Sequence, residues 1–466
     1  MHQFHPTILR EYDIRGIMGE TLSAKDAHAI GQAFGTLVLQ AEPRGRVCVG
    51  RDGRLSSAEL EGALVEGLLS TGAGVVSIGL GPTPMLYFAQ KLIGAAGAIQ
   101  VTGSHNPPDH NGFKMMLGGK PFFGEAIRQL GAIAASGSAT TGKGSKHTAA
   151  VARDYVEALV SAYRGERPLT VVWDPGNGAA GEIVQALVGR LPGRHVVINA
   201  EIDGTFPNHH PDPTDPHTLV QLQEAVAREG ADLGLAFDGD GDRLGVIDGR
   251  GRILWGDQFM VLLAKEVLED QPGAPIIADV KASQLLFDQI AAMGGRPVMG
   301  RTGHSLIKTL MAEIGSPLAG EMSGHIFFAD RYHGFDDATY AAVRLLSIVS
   351  RLPSSLAEWF DTLPRLINTP ELRFACADER KAGVIERVRA RLKAEQAEMS
   401  EVDGVRVLRP HGWWLLRASN TQAVLVARAE AKSQKDLSRL TDELNAYLAD
   451  AGLVLPEPSR EGDHAG

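Results

Sequence analysis

One pattern occurs three times along the chain, and it limits the possible folds more than any other feature. In each copy an apolar, strand-like run leads through a short turn into a helix-like run. The copies are RVCVGRDGRLSSAELEGALVEGLLS at 46–70, LTVVWDPGNGAAGEIVQALV at 169–188 and APIIADVKASQLLFDQIAAM at 274–293. Alternating strands and helices are typical of α/β domains. We therefore expect three similar α/β units in succession.

Each of these units also carries polar residues where two of its predicted strands end. The paired positions are Asp52 with Ser104, Asp174 with Asp238, and Asp279 with Glu321. Ligands of open α/β sheets bind beyond the carboxyl ends of the strands. The three clusters therefore predict one shared cleft between the units.

The last part of the chain follows a different pattern. Alternating apolar residues in 413–430 predict strands, and the amphipathic stretch 435–452 predicts a closing helix. A chain of 466 residues is too long for a single hydrophobic core. We expect an α/β protein with three similar mixed-sheet domains and a C-terminal α+β domain around a central cleft, divided as 1–150, 151–252, 253–364 and 365–466. A flexible loop is expected at 136–148 and a disordered tail at 457–466.

The composition argues against several classes of protein. A formal net charge of −10 without a basic run argues against nucleic-acid binding. The N-terminal sequence does not resemble a secretory signal, and no uncharged apolar run reaches the length of a membrane span. We expect a cytoplasmic protein without a membrane partner. Cys48 and Cys376 match no metal-binding spacing, which predicts buried, reduced thiols.

The hexapeptide DGDGDR at 238–243 is the most specific chemical signal. It places Asp238, Asp240 and Asp242 at alternate positions after the apolar run LGLAF. Clustered carboxylates repel one another unless a cation neutralises them, and oxygen ligands favour Mg²⁺ or Ca²⁺. An EF-hand is disfavoured, because Arg243 and Gly249 stand where its loop needs Gly and Glu. The alternative interpretation is a solvated acidic turn.

The loop TGSHNPPDHNGFKM at 102–115 concentrates nucleophilic and proton-transferring side chains. Ser104 is a candidate nucleophile, but Thr102 and Asn106 stand where an esterase G-x-S-x-G motif needs glycines. A Walker phosphate-binding loop is also absent from the sequence. In the alternative interpretation, Ser104 and Asn106 only cap a turn before Pro107. The loop alone does not decide between these two readings.

Five motifs together give the chain a resemblance to the α-D-phosphohexomutase family of phosphomannomutases and phosphoglucomutases. They are REYDIRG at 10–16, TGSHNP at 102–107, DGDGDR at 238–243, GEMSGH at 320–325 and RASNT at 417–421. The resemblance extends over essentially the whole chain, and it is strongest to bacterial members, some of which use both mannose and glucose phosphates. It implies four domains around a cleft, carrying in order a phosphoserine, a metal, a sugar-binding and a phosphate-binding loop.

The resemblance also implies a reaction. Ser104 is similar to the family's phosphorylated serine, and its phosphate would bind one Mg²⁺ per chain together with Asp238, Asp240 and Asp242. The phosphoryl group would pass to a hexose phosphate, giving a hexose 1,6-bisphosphate that turns around and returns its other phosphate; added bisphosphate would act as an activator. The implied activity is that of an isomerase interconverting hexose 6-phosphate and hexose 1-phosphate.

Several further roles follow from the resemblance alone. Lys114 and His304 are similar to general acids and bases, and Arg15 and Arg243 to groups that stabilise the transferring phosphoryl group. The charges of the two arginines are expected to lower the pKa of Lys114. As alternatives, the lysine is solvated, the histidine belongs to a turn, and the arginines pair with acids such as Asp13.

The remaining candidate residues are expected to bind the substrate. They shape the pocket, bind sugar hydroxyls or bind the phosphate that does not react: Tyr12, His105, Glu321, Ser323, His325, Arg417, Ser419, Asn420 and Thr421. Their alternatives are core packing, turn capping and ordinary polar turns.

The expected partners are hexose phosphates, with the chain a monomer or weak homo-oligomer. Mannose and glucose phosphates are both expected as substrates. The alternative activities are those of a phosphoglucosamine mutase, a strict phosphoglucomutase or a sugar-phosphate binding protein without turnover.

Overall fold

The structure, a computed structural model, describes residues 1–420 and 422–456. It contains four β-sheets in chain order, each with its own helices. The predicted tail at 457–466 lies outside the described residues.

The first sheet is mixed and seven-stranded, in the order β1-β5-β4-β2-β3-β7 with β6 paired to β5. Its strands are β1 (Ile14–Ile17), β2 (Arg46–Arg51), β3 (Gly74–Leu80), β4 (Gly97–Val101), β5 (His110–Leu117), β6 (Lys120–Pro121) and β7 (Lys146–Thr148). Its helices are α1 (Ala24–Ala41), α2 (Ser57–Thr71), α3 (Thr83–Ile93) and α4 (Glu125–Ser136). Helix α5 (Ala152–Ser161) leads into the second unit.

The second sheet has the order β12-β11-β10-β8-β9. Its elements are β8 (Leu169–Asp174), α6 (Gly181–Val188), β9 (Gly193–Val197), a 3₁₀ turn (Pro216–Leu219), α7 (Val220–Glu229), β10 (Leu233–Phe237), β11 (Leu244–Asp248) and β12 (Ile253–Leu254). The third sheet has the order β14-β13-β15-β16. Its elements are α8 (Gly256–Asp270), β13 (Pro275–Asp279), α9 (Gln284–Ala292), β14 (Arg296–Gly300), α10 (His304–Ile314), β15 (Leu318–Gly320), β16 (Ile326–Phe328), α11 (Ala338–Val349) and α12 (Leu356–Asp361).

The fourth sheet is antiparallel throughout, in the order β17-β22-β21-β20-β19 with β18 paired to β22. Its elements are β17 (Ile367–Asn368), β18 (Leu372–Ala375), α13 (Asp378–Ala394), β19 (Met399–Ser400), β20 (Val405–Arg409), β21 (Gly412–Ala418), β22 (Val424–Ala431) and α14 (Gln434–Ala449). The prediction of three mixed-sheet α/β units and a smaller α+β unit is confirmed.

One hairpin recurs in the first three units and places the predicted motifs. Strands β4, β10 and β15 run parallel to β2, β8 and β13, and each then turns into an antiparallel partner, β5, β11 or β16. Ser104, Asp238 and Glu321 follow directly after the parallel strands, at their carboxyl ends. The three motifs are therefore equivalent loops of three similar sheets.

The hydrophobic cores differ between the units. One large core is shared by the first three units and includes side chains from α3, α6 and α11. The fourth unit has a core of its own and contacts the third through a small cluster around Val280, Trp413 and Leu415. The fourth unit is thus the most independently packed of the four.

Two local predictions have different outcomes. The flexible loop predicted at 136–148 is wrong for 146–148, because β7 adds to the exposed edge of β3 and so satisfies its backbone groups. Cys48 and Cys376 are free and buried, as predicted. Among the described residues, no helix is both long and apolar enough to cross a membrane.

Candidate active site

Ser104 lies at the centre of the site, in the loop between β4 and β5. The residue is 1% exposed, and its hydroxyl donates to Asp238 Oδ2 at 2.9 Å. The backbone has φ of +51°, in the left-handed region that non-glycine residues seldom adopt, and its N–H donates to Thr102 Oγ1 at 2.9 Å. A strained, buried serine facing a carboxylate points to function rather than turn capping.

A buried arginine that the sequence analysis missed supports this loop. The guanidinium of Arg54 donates to the carbonyls of Ser104 at 2.7 Å and His110 at 2.9 Å, and also to those of Asn106 and Pro107. Asp52 pairs with this guanidinium at 3.3 Å. The sequence signal that could have identified it is the oppositely charged pair Asp52 and Arg54, which directly follows an apolar, strand-like run.

A loop of the second unit holds the same segment from the other side. His105 Nδ1 lies 3.0 Å from Asp212 Oδ2, and His210 Nε2 donates to the carbonyl of His105. The guanidinium of Arg54 lies 5.2 Å from the ring centre of Phe206. Burial, assisted by the charge of Arg243, lowers the pKa of His105 to about 3, so its ring is neutral near pH 7.

The three aspartates of DGDGDR are fully buried and close together. Asp238 Oδ1 accepts from the backbone N–H groups of Asp242 at 3.0 Å and Arg243 at 3.1 Å. Burial and the two neighbouring carboxylates raise the pKa of Asp238 well above its ordinary value. One oxygen each of Asp240 and Asp242 has no hydrogen-bond partner among the residues described. Such a cluster suits a hard divalent cation and not a solvated turn.

Lys114, on β5, reaches into this cluster. Its Nζ lies 2.7 Å from Asp240 Oδ2 and 2.5 Å from Asp242 Oδ2. Burial disfavours the ammonium, but the two carboxylates outweigh burial and raise the pKa of Lys114. The lowered pKa expected from the sequence is therefore wrong for this arrangement, because the aspartates of the cluster raise the pKa of Lys114 by more than the charge of Arg15 lowers it. A cation held by the same carboxylates would oppose the ammonium.

The two candidate arginines have different surroundings. Arg15 donates from Nε to Asp13 Oδ2 at 2.7 Å and from Nη1 to Asn106 Oδ1 at 2.8 Å, so it pairs with an acid and contacts the serine loop. Arg243 donates from Nε to His325 Nε2 at 2.9 Å. Burial opposes the charge of Arg243, but nearby aspartates, above all Asp212, raise its pKa.

His304 is the first residue of α10 and is buried beside a third-unit carboxylate. Its Nδ1 lies 3.6 Å from Asp336 Oδ2, and His325 Nδ1 lies 3.2 Å from the same oxygen. Burial and the charge of Lys308 lower the pKa of His304 well below its ordinary value. Asp336 is not among the predicted site residues, because it lies in the ordinary-looking turn GFDDAT before α11.

The GEMSGH loop forms a compact hydrogen-bonded turn. Glu321 Oε1 accepts from the backbone N–H of Gly303 at 2.9 Å, and Ser323 donates to Glu321 Oε2 at 3.1 Å. Burial raises the pKa of Glu321. His325, at the end of the loop, faces Arg243 of the second unit and so joins this loop to the aspartate cluster.

The fourth unit meets the first and third units at the RASNT loop. Arg417 donates to Asp403 Oδ2 at 2.9 Å, and the same oxygen accepts from the backbone N–H of Thr302 at 3.1 Å. The side-chain amide of Asn420 donates to the hydroxyl of Tyr12, which itself donates to the carbonyl of Thr302 at 3.0 Å. Burial raises the pKa of Tyr12 to about 12, so its hydroxyl keeps its proton.

Other residues near this loop complete the site. The hydroxyl of Ser419 accepts from the backbone N–H of Gln422 at 3.2 Å, whereas Thr421 lies outside the described residues. Lys281, which the sequence analysis also missed, follows the end of β13 and lies 3.0 Å from Glu371. Hydrogen bonds and ion pairs thus join loops of all four units around one site.

Comparison with protein families gives four matches in chain order. Their descriptions are phosphoglucomutase/phosphomannomutase alpha/beta/alpha domain I, domain II, domain III and C-terminal domain. They match residues 6–141, 153–251, 255–366 and 371–446, which together cover most of the chain.

Individual proteins are similar over nearly the full length. The chain is 45% identical over 443 residues to a phosphomannomutase/phosphoglucomutase of Pseudomonas syringae pv. tomato, covering 95% of each. It is 42% identical over 447 residues to a phosphoglucomutase of Neisseria gonorrhoeae, covering 95% of this chain and 96% of the relative. A crystal structure of a phosphoglucomutase/phosphomannomutase family protein from Burkholderia thailandensis matches with a TM-score of 0.92 and 44% identity, covering 97% of this chain and 100% of the other.

Proposed function

The chain belongs to the phosphoglucomutase/phosphomannomutase family, and we propose that Ser104 is the residue that carries the phosphoryl group in its reaction. The enzyme is a mutase, an isomerase that interconverts hexose 6-phosphate and hexose 1-phosphate. One observation carries the role of Ser104: its buried hydroxyl faces a cluster of three buried carboxylates, with Lys114 in the same cluster. This arrangement is suited to holding a phosphoserine beside a cation.

The reaction begins with the phosphorylated serine. The bond between Ser104 Oγ and phosphorus breaks while a free hydroxyl of the hexose phosphate forms a bond to phosphorus, giving a hexose 1,6-bisphosphate. The bisphosphate turns around in the site, and its other phosphoryl group returns to Ser104. The product leaves with one phosphate, so no net phosphate is consumed.

The aspartate cluster holds the metal in this proposal. Asp238, Asp240 and Asp242 would bind one Mg²⁺, together with an oxygen of the Ser104 phosphate. When bound, the ion supplies positive charge that stabilises the phosphoryl group in transfer. The unpartnered oxygens of Asp240 and Asp242 support this assignment.

The sugar hydroxyl that attacks phosphorus must lose its proton, and the oxygen released from phosphorus must gain one. We assign these transfers to Lys114 and His304, which lie on β5 of the first unit and at the start of α10 of the third. Lys114 contacts the aspartates directly, whereas His304 is linked to them through Asp336 and His325. The two groups would serve the two orientations of the bisphosphate.

Positive groups would stabilise the phosphates. Arg15 contacts the serine loop, and Arg243 lies between the aspartate cluster and His325, so both are suited to the transferring phosphoryl group. The RASNT loop would bind the phosphate that does not react, through the side chains of Arg417, Ser419, Asn420 and Thr421. Its link to Tyr12 supports a fourth unit that closes over the substrate.

The sugar would be held by Glu321, Ser323 and His325, with His105 shaping the opposite wall. The 3- and 4-hydroxyls lie near the middle of the turn that the bisphosphate makes, so they are presented similarly both ways round. Mannose and glucose share these hydroxyls and differ at the 2-hydroxyl. We therefore propose that both sugars are substrates.

We also propose that the enzyme acts in the cytoplasm as a monomer or weak homo-oligomer. Its proposed domains are 1–150, 151–252, 253–364 and 365–466.

A coupled assay tests this function. Mannose 1-phosphate, glucose 1-phosphate and glucosamine 1-phosphate are compared at equal enzyme, with catalytic glucose 1,6-bisphosphate as activator. We expect turnover of the first two with kcat/KM values within about 100-fold of each other. A ratio beyond about 10⁴ would contradict shared recognition, and preference for glucosamine 1-phosphate would support a phosphoglucosamine mutase instead.

A further inference from the structure

One loop of the second unit lies against the serine loop of the first unit. It spans residues 203–215, between β9 and the 3₁₀ turn, and we call it the strap. His210 Nε2 donates to the carbonyl of His105, and Asp212 Oδ2 lies 3.0 Å from His105 Nδ1. Because His105 directly follows Ser104, the strap holds the segment that carries the proposed phosphoserine.

The other end of the strap packs against the arginine that supports the serine loop. The guanidinium of Arg54 lies 5.2 Å from the ring centre of Phe206, whose φ of +51° is in the left-handed region. A Cβ added to Gly204 would lie 2.5 Å from Cα of Arg54 and 2.5 Å from the carbonyl oxygen of Gly53. The strap therefore contacts the first unit near both of its ends.

His209, near the middle of the strap, lies between two hydrogen-bond acceptors. Its Nε2 is 2.9 Å from Asp174 Oδ2, and its Nδ1 is 2.9 Å from the carbonyl oxygen of His210. Asp174 Oδ1 accepts from the backbone N–H of Gly176 at 2.9 Å and from the side-chain amide of Asn199 at 3.0 Å, as expected of a carboxylate. A carbonyl and a carboxylate only accept, so both ring nitrogens of His209 are protonated and the ring is an imidazolium.

Asp174 is one of the polar residues predicted to lie at strand ends around the cleft, and the proposed mechanism gives it no role. It is the last residue of β8 and is fully buried. Burial lowers the pKa of His209, but the hydrogen bond to Asp174 and the charge of Asp174 outweigh burial and raise it. The electrostatics therefore agree with the hydrogen-bond geometry.

The surroundings of the imidazolium supply one countercharge. Asp174 on β8 is that charge, whereas Gly176 and Asn199, which border the pair from two other segments, are uncharged. Within the strap, Asp203 and Asp212 have other hydrogen-bond partners, and the second histidine contributes its carbonyl. The charge of the ring is therefore balanced by Asp174.

We infer that His209 is a positioning residue: as an imidazolium paired with Asp174, it fastens the strap to the second unit so that the strap can hold the serine loop. The inference rests on the proposed role of Ser104 as the carrier of the phosphoryl group. Loss of the charged pair would free the middle of the strap and leave Ser104 less precisely placed. Small displacements of a reacting group lower the rate strongly.

The first test follows the protonation of His209 in the wild-type enzyme. ¹⁵N-histidine NMR distinguishes protonated from unprotonated ring nitrogens, and His209→Gln and His217→Gln variants assign the two rings. The exposed ring of His217, in the same unit, is the reference. We expect His209 to keep both protons to a higher pH than His217, and Asp174→Asn to reverse this order, because burial alone disfavours the charge. A wild-type His209 that loses a proton at or below the pH at which His217 does would overturn the inference.

The second test uses the pH dependence of stability. Because folding raises the pKa of His209, its contribution to the free energy of unfolding is complete below the ordinary histidine pKa of about 6.5 and is lost as the pH rises through the raised value. His209→Gln should therefore lower Tm relative to wild type at about pH 6, and the difference should shrink by at least about half at about pH 9. His217→Gln is the matched control and should leave Tm unchanged at both pH values. A deficit in His209→Gln of equal size at both would show that the ring only packs, which would overturn the charged pair.

The third test measures turnover. At about pH 7 we expect kcat of His209→Gln to be about tenfold lower than that of wild type, with KM for glucose 1-phosphate within about threefold. The expected loss is moderate because Asn208 also attaches the strap, through Asn177 Oδ1 at 2.8 Å. The ratio of wild-type to variant kcat should fall as the pH rises, since wild-type His209 then also loses its charge. His217→Gln should keep the wild-type kcat.

The outcomes separate this inference from the function on which it rests. A His209→Gln enzyme with wild-type kcat, from a chain whose Ser104 takes up phosphate, would overturn the role of His209 alone. A wild-type chain that places its phosphate elsewhere would overturn the role of Ser104. The NMR titration reads the wild-type chain, so the charged pair is tested even if His209→Gln does not fold.

Discussion

Gly103→Ala should damage the enzyme without touching a proposed catalytic group. Gly103 precedes Ser104, and its φ is not in the left-handed region, so alanine can adopt its backbone conformation. A Cβ at this position would lie 2.5 Å from both Cζ and Nε of Arg54, where real contacts of this kind do not fall below 3.0 Å. The guanidinium must therefore move by about 0.5 Å. It cannot move freely, because it donates to four carbonyls of the serine loop.

The magnitude follows from the contacts of Arg54. A hydrogen bond from a charged donor contributes about 1.5–3 kcal/mol, so losing one or two of the four lowers the free energy of unfolding by about 1.5–6 kcal/mol. At about 2–4 °C per kcal/mol for an unfolding unit of about 150–250 residues, we expect an apparent Tm lower by at least about 3 °C. Displacement of the loop also misplaces Ser104, which should lower kcat about 100-fold.

The assays are steady-state kinetics and thermal unfolding on Gly103→Ala and a control. In the control, Gly62→Ala, the glycine lies exposed in α2 with no atom within 4 Å of an added Cβ. That substitution should stabilise the chain by about 0.5–1 kcal/mol and leave kcat unchanged. A Gly103→Ala enzyme with wild-type Tm and kcat would refute the role given to Arg54.

Two further predictions concern the metal and the distal phosphate. Chelation of divalent metal should abolish turnover reversibly, and Asp240→Asn should lower kcat strongly at ordinary Mg²⁺ concentrations, since one of the three carboxylates proposed to bind the cation is lost. Full activity after exhaustive metal removal would remove Mg²⁺ from the proposed mechanism. Arg417→Ala should raise KM for the hexose phosphate at least about tenfold while Ser104 still takes up phosphate, because it removes a binding contact away from the reacting centre; an unchanged KM would show that the RASNT loop does not bind the substrate.

The fold was predictable because its signals are local and repeated. Each copy of the strand–turn–helix pattern is read within about 25 residues. The motifs follow strand ends, so their convergence followed from the geometry of parallel sheets. Ser104 and the three aspartates were accordingly expected near one another, and the structure brings Ser104 into direct contact with Asp238.

The parts that were not predicted depend on contacts between distant segments. Asp212 and Asp403 each lie in a turn of ordinary composition, and their contacts appear only where the turn meets another unit. Asp336 lies in a similar turn and meets His304 of its own unit, which is distant in the sequence. The wrong expectation for the pKa of Lys114 has the same origin. The two carboxylates that contact Lys114 are more than 120 residues away in the sequence, so the residues around Lys114 do not indicate them.

The central feature of the proposed mechanism is that Ser104 carries the phosphoryl group that is transferred. Wild-type enzyme and Ser104→Ala are incubated with ³²P-labelled glucose 1,6-bisphosphate. In one portion of each sample the labelled peptide is mapped. In a second portion the labelled enzyme is mixed with unlabelled glucose 1-phosphate, and a single turnover is followed. We expect the label on Ser104, its transfer to the sugar during the chase, and neither label nor turnover in Ser104→Ala. Label on another residue, or a Ser104→Ala enzyme with wild-type turnover, would contradict the mechanism.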